Sequence, residues 1–320
     1  MRKFFGFVLL CSGVLYAEIH PASMGPVDVT VSDLDRSIAF YTKVLMFEQE
    51  SVRQARLDSF DKLTGVFGTN VRVATLRLGS ERLQLIEYVS PQGRPVPAQS
   101  KSNDGWFQHI AIVVSDIDKA YQRLKDAKAT QISTEPQTLP MWNPDAGGVK
   151  AFYFRDPDNH ALELIWFPKG KGDPKWQGGK TVFLGIDHTA IAVRNTERSL
   201  AFYRDTLGMK VAGTSFNYGI EQEHLNLVFG SRVRITGIRA PAGPGIEFLE
   251  YVVPTDGRPM PADTHANDVW HWNSTMMLDD LSEAGKMFKV DAVDAAPLAQ
   301  GKQGFFIHDP DGHAVLVITK

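Results

Sequence analysis

Four titratable side chains lie on strand-like segments whose alternate residues are apolar, and together they have the composition of a metal centre. They are His109, Glu163, His188 and Glu250, and residues two positions away on the same strand face include Ala111, Ala161, Ala190 and Phe248. A lone carboxylate buried on such a face is costly unless it is neutralised or paired. Two carboxylates and two imidazoles that converge on one divalent cation would satisfy all four groups. The alternative is four residues that are satisfied separately, for example by hydrogen bonds to the backbone.

The composition excludes several other kinds of function. Of the 320 residues, 34 are Lys or Arg and 37 are Asp or Glu, so the formal net charge is −3. Nucleic-acid binding and polybasic attachment to a membrane surface both need a clustered basic excess, and we expect neither. The chain has one cysteine, Cys11. This count excludes a disulfide framework, a cysteine-based zinc site and an iron–sulfur cluster.

The elements that must position these side chains repeat along the chain. Similar segments recur in the same order in both halves: 37–41 as 199–203, 66–68 as 228–230, 86–89 as 249–252, 93–97 as 257–261, and 156–158 as 309–311. The repeat predicts two modules, 24–168 and 181–320. The segment between them, 169–180, is polar and rich in Gly and Pro, which is typical of a linker.

Each module contains two copies of a smaller unit. A strand-like run at 29–31 leads into Ser32-Asp33, a helix N-cap signal, and apolar residues at helical spacing follow. The run at 109–114 leads in the same way into Ser115-Asp116, and further copies start at His188 and near Asn273. Short strands follow each helix. The pattern predicts an α+β fold made of four β-α-β-β-β units.

This unit, with Asp-Pro-Asp-(Asn/Gly)-His at 156–160 and 309–313 before the last strand of each module, resembles the vicinal oxygen chelate (VOC) superfamily. That group includes glyoxalase I, extradiol dioxygenases, methylmalonyl-CoA epimerase and bleomycin-resistance proteins. The resemblance implies tandem modules whose four units form two half-barrels. It also implies that metal ligands come from the first and last strands of each unit.

At the positions that the resemblance assigns to metal ligands, two units are complete and two are not. Unit two offers His109 and Glu163, and unit three offers His188 and Glu250. Units one and four offer only Pro26, Glu87, Asn273 and Leu316. Pairing of consecutive units would divide the competent ligands between two half-barrels. Pairing of unit two with unit three, similar to the exchanged arrangement of glyoxalase I, would collect all four, and we favour it. It predicts one competent site and one degenerate site.

The resemblance implies a divalent metal ion and a small-molecule substrate with neighbouring oxygens. Zn, Ni, Co, Fe and Mn all suit these ligands, and ligand type alone does not choose between them. The leading hypothesis is a glyoxalase-like lyase or isomerase in which a metal-bound carboxylate moves a proton. The resemblance favours Glu163 for this role, with Glu250 as the alternative.

Two other functions remain open at this point. An extradiol-type Fe(II) ring-cleaving dioxygenase would use two histidines and one carboxylate, which His109, His188 and Glu163 could supply. A non-enzymatic small-molecule-binding protein of the bleomycin-resistance type would bind its ligand without a metal. The sequence leaves a monomer and a homodimer equally open.

The first seventeen residues predict a signal peptide. Arg2 and Lys3 precede an apolar stretch at 4–16, and the small residue Ala17 follows. The stretch is shorter than the roughly 18 apolar residues that a membrane-spanning helix needs. We therefore expect an exported protein, periplasmic or secreted, with no membrane span after cleavage.

Overall fold

The computed structural model describes residues 19–320, which form two curled sheets with few helices. The predicted signal peptide, residues 1–17, lies outside the described residues. Within residues 19–320, no helix is long and apolar enough to cross a membrane.

The first module supplies nine strands and three helices. The strands are β1 (Ser23–Val31), β2 (Glu48–Ala55), β3 (Asn70–Leu78), β4 (Glu81–Ser90), β5 (Gln108–Val114), β6 (Thr130–Gln131), β7 (Gln137–Thr138), β8 (Lys150–Arg155) and β9 (Ala161–Trp166). The helices are α1 (Leu34–Lys43), α2 (Asp58–Thr64) and α3 (Ile117–Asp126). The linker contains a short 3-10 turn, Pro174–Trp176.

The second module repeats the arrangement. Its strands are β10 (Phe183–Val193), β11 (Lys210–Tyr218), β12 (Arg232–Arg239), β13 (Gly245–Val253), β14 (Trp272–Leu278), β15 (Val293–Asp294), β16 (Gln303–His308) and β17 (Ala314–Thr319). Its helices are α4 (Thr196–Leu200), which continues as a π-helix at Ala201–Thr206, then α5 (Ile220–Asn226) and α6 (Ser282–Phe288).

The helices that follow the first strands begin at the N-cap residues that the sequence indicates. The Asp33 side chain accepts a hydrogen bond from the backbone N–H of Arg36, and Asp116 does the same for Lys119. Such a cap satisfies one of the free N–H groups in the first helical turn. These caps fix where each first strand turns into its helix, and so which residues remain on the strand to line a site.

The units pair across the modules. One sheet has the order β11-β12-β13-β10-β5-β9-β8-β6, and antiparallel pairing of β5 with β10 joins unit two to unit three. We call this sheet B. The other, sheet A, has the order β15-β16-β17-β14-β1-β4-β3-β2, and β1 with β14 joins unit one to unit four. The exchanged pairing that the distribution of ligands favours is therefore confirmed.

The Asp-Pro-Asp turns hold each module's two units together. Asp156 accepts hydrogen bonds from the Tyr41 hydroxyl (3.2 Å) and from His160 Nδ1 (2.8 Å). In the second module, His313 Nδ1 lies 3.0 Å from Asp309 Oδ2. All five side chains are buried. The two histidines therefore serve these turns rather than a ligand site.

Two arginine loops fasten the modules to each other reciprocally. Arg94 of the first module donates to Asp268 of the second (Nη2–Oδ2 2.6 Å), and Arg258 of the second donates to Asp104 of the first (2.7 Å). Each guanidinium also lies over an indole ring of the loop that it contacts, Trp270 and Trp106 respectively. Both aspartates are buried, and each is paired with an arginine of the other module. These contacts fix the position of one module relative to the other.

Alternation along the strands separates the core from the concave faces. In β5, Ile110 and Ile112 belong to the main core of the first module, together with Leu162 and Leu164 of β9. The intervening residues of both strands point to the concave face of sheet B, since successive side chains alternate across a sheet. The central strands β5 and β9 are thus buried on both faces. The residues that alternate with the core positions are the ones that can line a site.

Candidate metal centre

Strand alternation in unit two brings His109 and Glu163 to the concave face of sheet B. β5 and β9 are parallel, with His109 opposite Ala161 and Ala111 opposite Glu163. Both alanines are small and buried, so they leave room beside them for the two larger polar side chains. Unit two therefore supplies one imidazole and one carboxylate from neighbouring strands.

Unit three supplies a matching pair, but its carboxylate is Glu247. β10 and β13 are parallel, with His188 opposite Gly245 and Ala190 opposite Glu247. Glu247 therefore has the same register relative to His188 as Glu163 has relative to His109. The two pairs are related by the approximate two-fold that runs between β5 and β10.

The four side chains converge. His109 Nε2 lies 3.1 Å from Glu163 Oε2, and His188 Nε2 lies 3.6 Å from the same oxygen. His188 Nε2 is also 3.3 Å from Glu247 Oε2. Donor atoms of His109, Glu163 and His188 all lie within 4.8 Å of one another. Neighbouring ligands of an ion with bonds of about 2.0–2.2 Å are about 3 Å apart, so this spacing suits one shared cation.

Three of the four ring nitrogens of His109 and His188 make no aligned hydrogen bond within the protein. Both ring nitrogens of His109, and Nε2 of His188, are buried and make no aligned hydrogen bond. The side chains of His109 and His188 are only 1% and 3% exposed. Buried polar atoms without a partner are rare and costly, and imidazole nitrogens beside two carboxylates are good donors to a divalent metal. The residues present therefore fit a metal ion.

Glu250 does not join the cluster, which corrects the expectation from the sequence. Its side chain accepts a hydrogen bond from Thr196 Oγ1 (2.6 Å) and an ion pair from Arg234 Nη1 (2.8 Å). It lies on the face of β13 that carries Ile246 and Phe248, which belong to the module core. β13 is apolar on both faces, so alternation alone did not indicate which face lines the site.

The repeat carried a signal that identifies Glu250 as structural. Its counterpart Glu87 pairs with Arg72 (3.0 Å), just as Glu250 pairs with Arg234. Sheet A carries this glutamate–arginine pair but neither of the two histidines, so the pair is not specific to the metal cluster. The same alignment sets Glu247 against Gln84, so only the competent half has a carboxylate at that position.

Asp187 fixes the orientation of His188, and sequence reasoning missed it. Its Oδ2 lies 2.9 Å from His188 Nδ1 and accepts from Arg239 Nη2 at 2.7 Å. Its Oδ1 accepts from Trp176 Nε1 at 2.7 Å. A carboxylate on the far nitrogen of a ligating histidine sets the tautomer and the ring orientation. The Nε2 atom of His188 is thereby directed at Glu163 and Glu247.

The linker is part of this arrangement rather than a plain connection. Trp176 is buried, and the neighbouring Lys175 Nζ donates to Glu81 Oε1 at 2.9 Å. Glu81 begins β4 in sheet A and also accepts from the backbone N–H of Ile186. The segment predicted as a linker thus docks between the sheets and reaches a candidate metal ligand through Asp187.

The charges of the cluster are strongly coupled. Burial acts to lower the pKa of His188, but Glu247 and Asp187 outweigh it and raise that pKa well above its usual value. Burial acts to raise the pKa of Glu247, but His188 and His109 lower it below its usual range. The cluster therefore favours positive charge at His188, where a cation can replace the proton.

A cavity of about 560 Å³ opens over the cluster. Glu163, His188 and Glu247 lie in its wall, together with apolar side chains from β12 and β13. Linker residues contribute to its edge: Gly172, Asp173 and Pro174. The volume falls in the range typical of small-molecule sites. The cluster therefore faces a space that can hold a substrate.

Gln222 of α5 also lines this cavity, and sequence reasoning missed it too. The residue is 3% exposed, and its Oε1 atom has no hydrogen-bond partner. The matching position in the first module, by alignment of 66–68 with 228–230, is Phe60 of α2. The helix over sheet B thus has a polar side chain at the position where the matching helix over sheet A has an aromatic one.

The concave face of sheet A has no comparable set of ligands. Asn273 and Leu316 stand at the positions of His109 and Glu163, and Pro26 and Gln84 at those of His188 and Glu247. Apolar side chains from both modules cover this face: Phe60, Leu63, Val71, Val73, Tyr88, Leu298 and Ile318. The predicted degenerate site is therefore a filled core.

A buried aspartate nevertheless remains on that face. Asp28 is 1% exposed, and its Oδ2 accepts from Asn273 Nδ2 (2.6 Å) and Thr275 Oγ1 (3.2 Å). Its Oδ1 has no partner. Burial raises the pKa of Asp28 to about 7, although the two hydrogen bonds oppose the shift. This face therefore holds a carboxyl group that is partly neutral near pH 7.

Comparison with known proteins agrees with this architecture. A sequence profile of the Glyoxalase/Bleomycin resistance protein/Dioxygenase superfamily matches residues 23–164 and 185–317. A 2-epi-5-epi-valiolone epimerase from Actinomyces sp. is 34% identical over 146 residues, which are 44% of this chain and 77% of the relative. Glyoxalase I of Saccharomyces cerevisiae is 34% identical over 113 residues, which are 34% of this chain and 30% of that protein.

Solved structures show the same fold over nearly the whole chain. Glyoxalase I from Zea mays superposes with a TM-score of 0.60 at 16% identity and covers 93% of this chain and 92% of its own. A putative dioxygenase from Bacillus subtilis gives 0.57 at 12% identity, over 94% and 86% of the two chains. At these identities the likeness concerns the fold alone.

The epimerase and glyoxalase I relatives support an enzyme of VOC type that binds a small-molecule substrate. The His-Glu-His cluster is consistent with the metal dependence that is usual in this group. On the match of both modules to one profile, the chain belongs to the Glyoxalase/Bleomycin resistance protein/Dioxygenase superfamily.

Proposed function

We propose that this protein is a metal-dependent isomerase or lyase that transfers a proton on a small substrate with two neighbouring oxygens. The observation that carries the proposal is the convergence of His109, Glu163, His188 and Glu247 below the cavity, with histidine Nε2 atoms that make no aligned hydrogen bond in the protein. The epimerase relative supports isomerase-type chemistry.

The four side chains would hold one divalent cation. When bound there, such an ion would supply Lewis-acid chemistry, which would polarise substrate oxygens and acidify the adjacent C–H group. Asp187, through His188, keeps one ligand in place. Apolar side chains of β12 and β13, Val233, Ile235 and Leu249, line the wall above the cluster.

Glu247 is the better placed of the two carboxylates to accept and return a proton. Its side chain is 30% exposed, whereas that of Glu163 is 6% exposed and contacts both histidines. A general base must reach the proton that it removes. We therefore assign proton transfer to Glu247 and a holding role to Glu163, the reverse of the preference that the resemblance gave Glu163.

A second candidate is a ring-cleaving dioxygenase. His109, Glu163 and His188 form the compact group of donors, and two histidines with one carboxylate are the ligand set of non-haem Fe(II) oxygenases. Glu247 distinguishes the candidates, because a fourth protein ligand occupies a position that such oxygenases leave open. Oxygen uptake with catechols by Fe(II)-loaded protein would favour the dioxygenase.

Elemental analysis of purified protein tests the proposal. We expect about one divalent metal per wild-type chain and loss of that metal in His109→Ala and His188→Ala. Asn273→Ala, at the position in sheet A that matches His109, is the control and should retain the metal. Wild-type protein without stoichiometric metal would contradict both enzyme candidates and favour a binding protein.

We also propose that the protein acts outside the cytoplasm, on the basis of the predicted signal peptide at 1–17. Mature protein should begin at Glu18, which N-terminal sequencing of protein from the periplasm or the medium would detect. Full-length protein confined to the cytoplasm would overturn this part of the proposal.

A further inference from the structure

We propose that the cavity over sheet B takes an uncharged polyhydroxylated molecule, one of whose hydroxyl groups donates a hydrogen bond to Gln222 Oε1. This inference rests on the proposed function for the position of the metal, and it names the substrate class of the same site. Two independent features carry it: the charges around the cavity and the unpartnered amide of Gln222.

The ionisable residues that line the cavity are mostly acidic. The carboxylates are Asp145, Glu163, Asp173, Asp187 and Glu247, and Arg239 is the one guanidinium in the lining. Arg239 is not available to a substrate anion, because it donates to Asp187 through Nη2 and to the Asp187 carbonyl through Nη1. A divalent cation would offset two of the negative charges. A carboxylate, phosphate or sulfate on the substrate would therefore enter against a negative field.

Cations near the rim are also engaged. Lys171 Nζ donates to the carbonyls of Pro144 and Asp145, and Lys175 Nζ pairs with Glu81. Neither ammonium group is directed at a substrate in the cavity. These side chains therefore offer no free cation to a carboxylate or phosphate group on a substrate.

Gln222 supplies a specific polar contact. Its Oε1 is a buried acceptor without a partner in the protein, and leaving such an acceptor unpaired is costly. A hydroxyl donor on the ligand would satisfy it. Asn217 differs, because Asn143 Nδ2 already donates to its Oδ1 at 2.7 Å. Among the lining amides, Gln222 is therefore the one poised to bind.

The half of the molecule around sheet A, here called the closed half because its concave face is filled, supports this role by contrast. Phe60 occupies the position of Gln222 there, is fully buried, and contacts Tyr88 with ring centroids 5.9 Å apart. Unit one thus fills with an aromatic ring the space that unit three leaves to a ligand. The polar residue Gln222 therefore lies on the side of the molecule that has the open cavity.

Methyl shikimate and shikimate test the charge preference. Both carry three adjacent hydroxyl groups on the same ring, and they differ by one negative charge. Calorimetry on the full metal-loaded protein should show that the neutral ester binds at least about tenfold more tightly, as expected from one unfavourable charge interaction at short range. Equal or tighter binding of the anion would overturn the proposal, as would failure of both probes to bind.

Variants at Gln222 test the hydrogen bond. Gln222→Met keeps the shape and removes the acceptor, so it should weaken methyl shikimate binding about fivefold. Gln222→Phe, which installs the residue of the closed half, should abolish binding. Gln84→Met removes another buried amide whose Oε1 atom has no partner, in sheet A, and should leave binding unchanged. Full affinity in Gln222→Met would overturn the assignment of this residue.

Metal content measured on the same samples separates this inference from the proposed function. Protein that retains its metal but prefers the shikimate anion overturns the substrate class and leaves the metal enzyme. Protein that binds methyl shikimate selectively without retaining metal supports the substrate class and overturns the metal enzyme.

Discussion

The concave faces of the two sheets are built from the same arrangement of strands, but one carries a ligand cluster and the other is filled by apolar side chains. Sheet B carries two histidines and two glutamates below an open cavity, whereas sheet A carries Pro26, Gln84, Asn273 and Leu316 below packed apolar side chains. The strand order and register correspond strand by strand. The difference lies in a few side chains, and it shows that one fold can devote one face to a ligand and the other to stability.

The largest expected effect of the comparison is on stability. Phe60→Ala should destabilise the protein by about 3–5 kcal/mol, because it removes a fully buried ring and leaves a cavity in the closed half. Chemical denaturation would measure the loss. Metal content at low temperature should not change. Less than about 1 kcal/mol of destabilisation would mean that sheet A is not the filled core that its packing indicates.

The second effect concerns the two glutamates of β13. Glu247→Ala should lower metal affinity more than about 100-fold, since the loss of a direct ligand exceeds the 10–100-fold loss expected for an outer contact. Glu250→Ala is the matched control and should keep the affinity, because Glu250 pairs with Arg234 instead. Competition with a chelator would measure both. The reverse result would restore the assignment made from the sequence.

A smaller effect is expected for the residue that orients His188. Asp187→Asn should weaken metal binding about 10–100-fold, because the carboxylate that fixes the imidazole is lost. Gln108 precedes His109 as Asp187 precedes His188, and Gln108→Asn is the control that should have little effect. Recovery of affinity in Asp187→Glu would indicate a positioning role rather than general damage to the fold.

The smallest effect is a pH dependence that belongs to sheet A. Since the pKa of Asp28 is raised from 3.8 to about 7 by burial, the folded chain binds more protons than the unfolded chain between those values. Stability contributed by the neutral carboxyl is therefore complete below about pH 4 and is lost as the pH rises to about 7. Asp28→Asn, which stays neutral, should gain about 1–3 kcal/mol on the wild type between pH 4.5 and pH 8.

Thermal or denaturant unfolding at several pH values would show this difference. If the stability difference between Asp28→Asn and the wild type were the same at both pH values, the carboxyl of Asp28 would not titrate in this window. Metal content should be unaffected in either case, because Asp28 belongs to the opposite sheet from the ligand cluster.

The amino-acid sequence by itself determined the repeat, the α+β class with four units, and three of the four clustered side chains. His109, Glu163 and His188 were found because they stand at positions that the family resemblance assigns to metal ligands, and the apolar alternation of their strands supports them. The Asp-Pro-Asp turns and the segments that carry Arg94 and Arg258 also recur in both modules, and their contacts in the fold join the units and the modules.

Only the tertiary structure decided the fourth side chain and the extent of the site. β13 is apolar on both faces, so strand alternation suits Glu250 and Glu247 equally well, and the register of β13 with β10 places Glu247 beside His188. Trp176 reaches Asp187 from a segment that is polar and glycine-rich in sequence. Whether Phe60 and Gln222 close or open a cavity depends on contacts between units far apart in the chain, which local patterns do not encode.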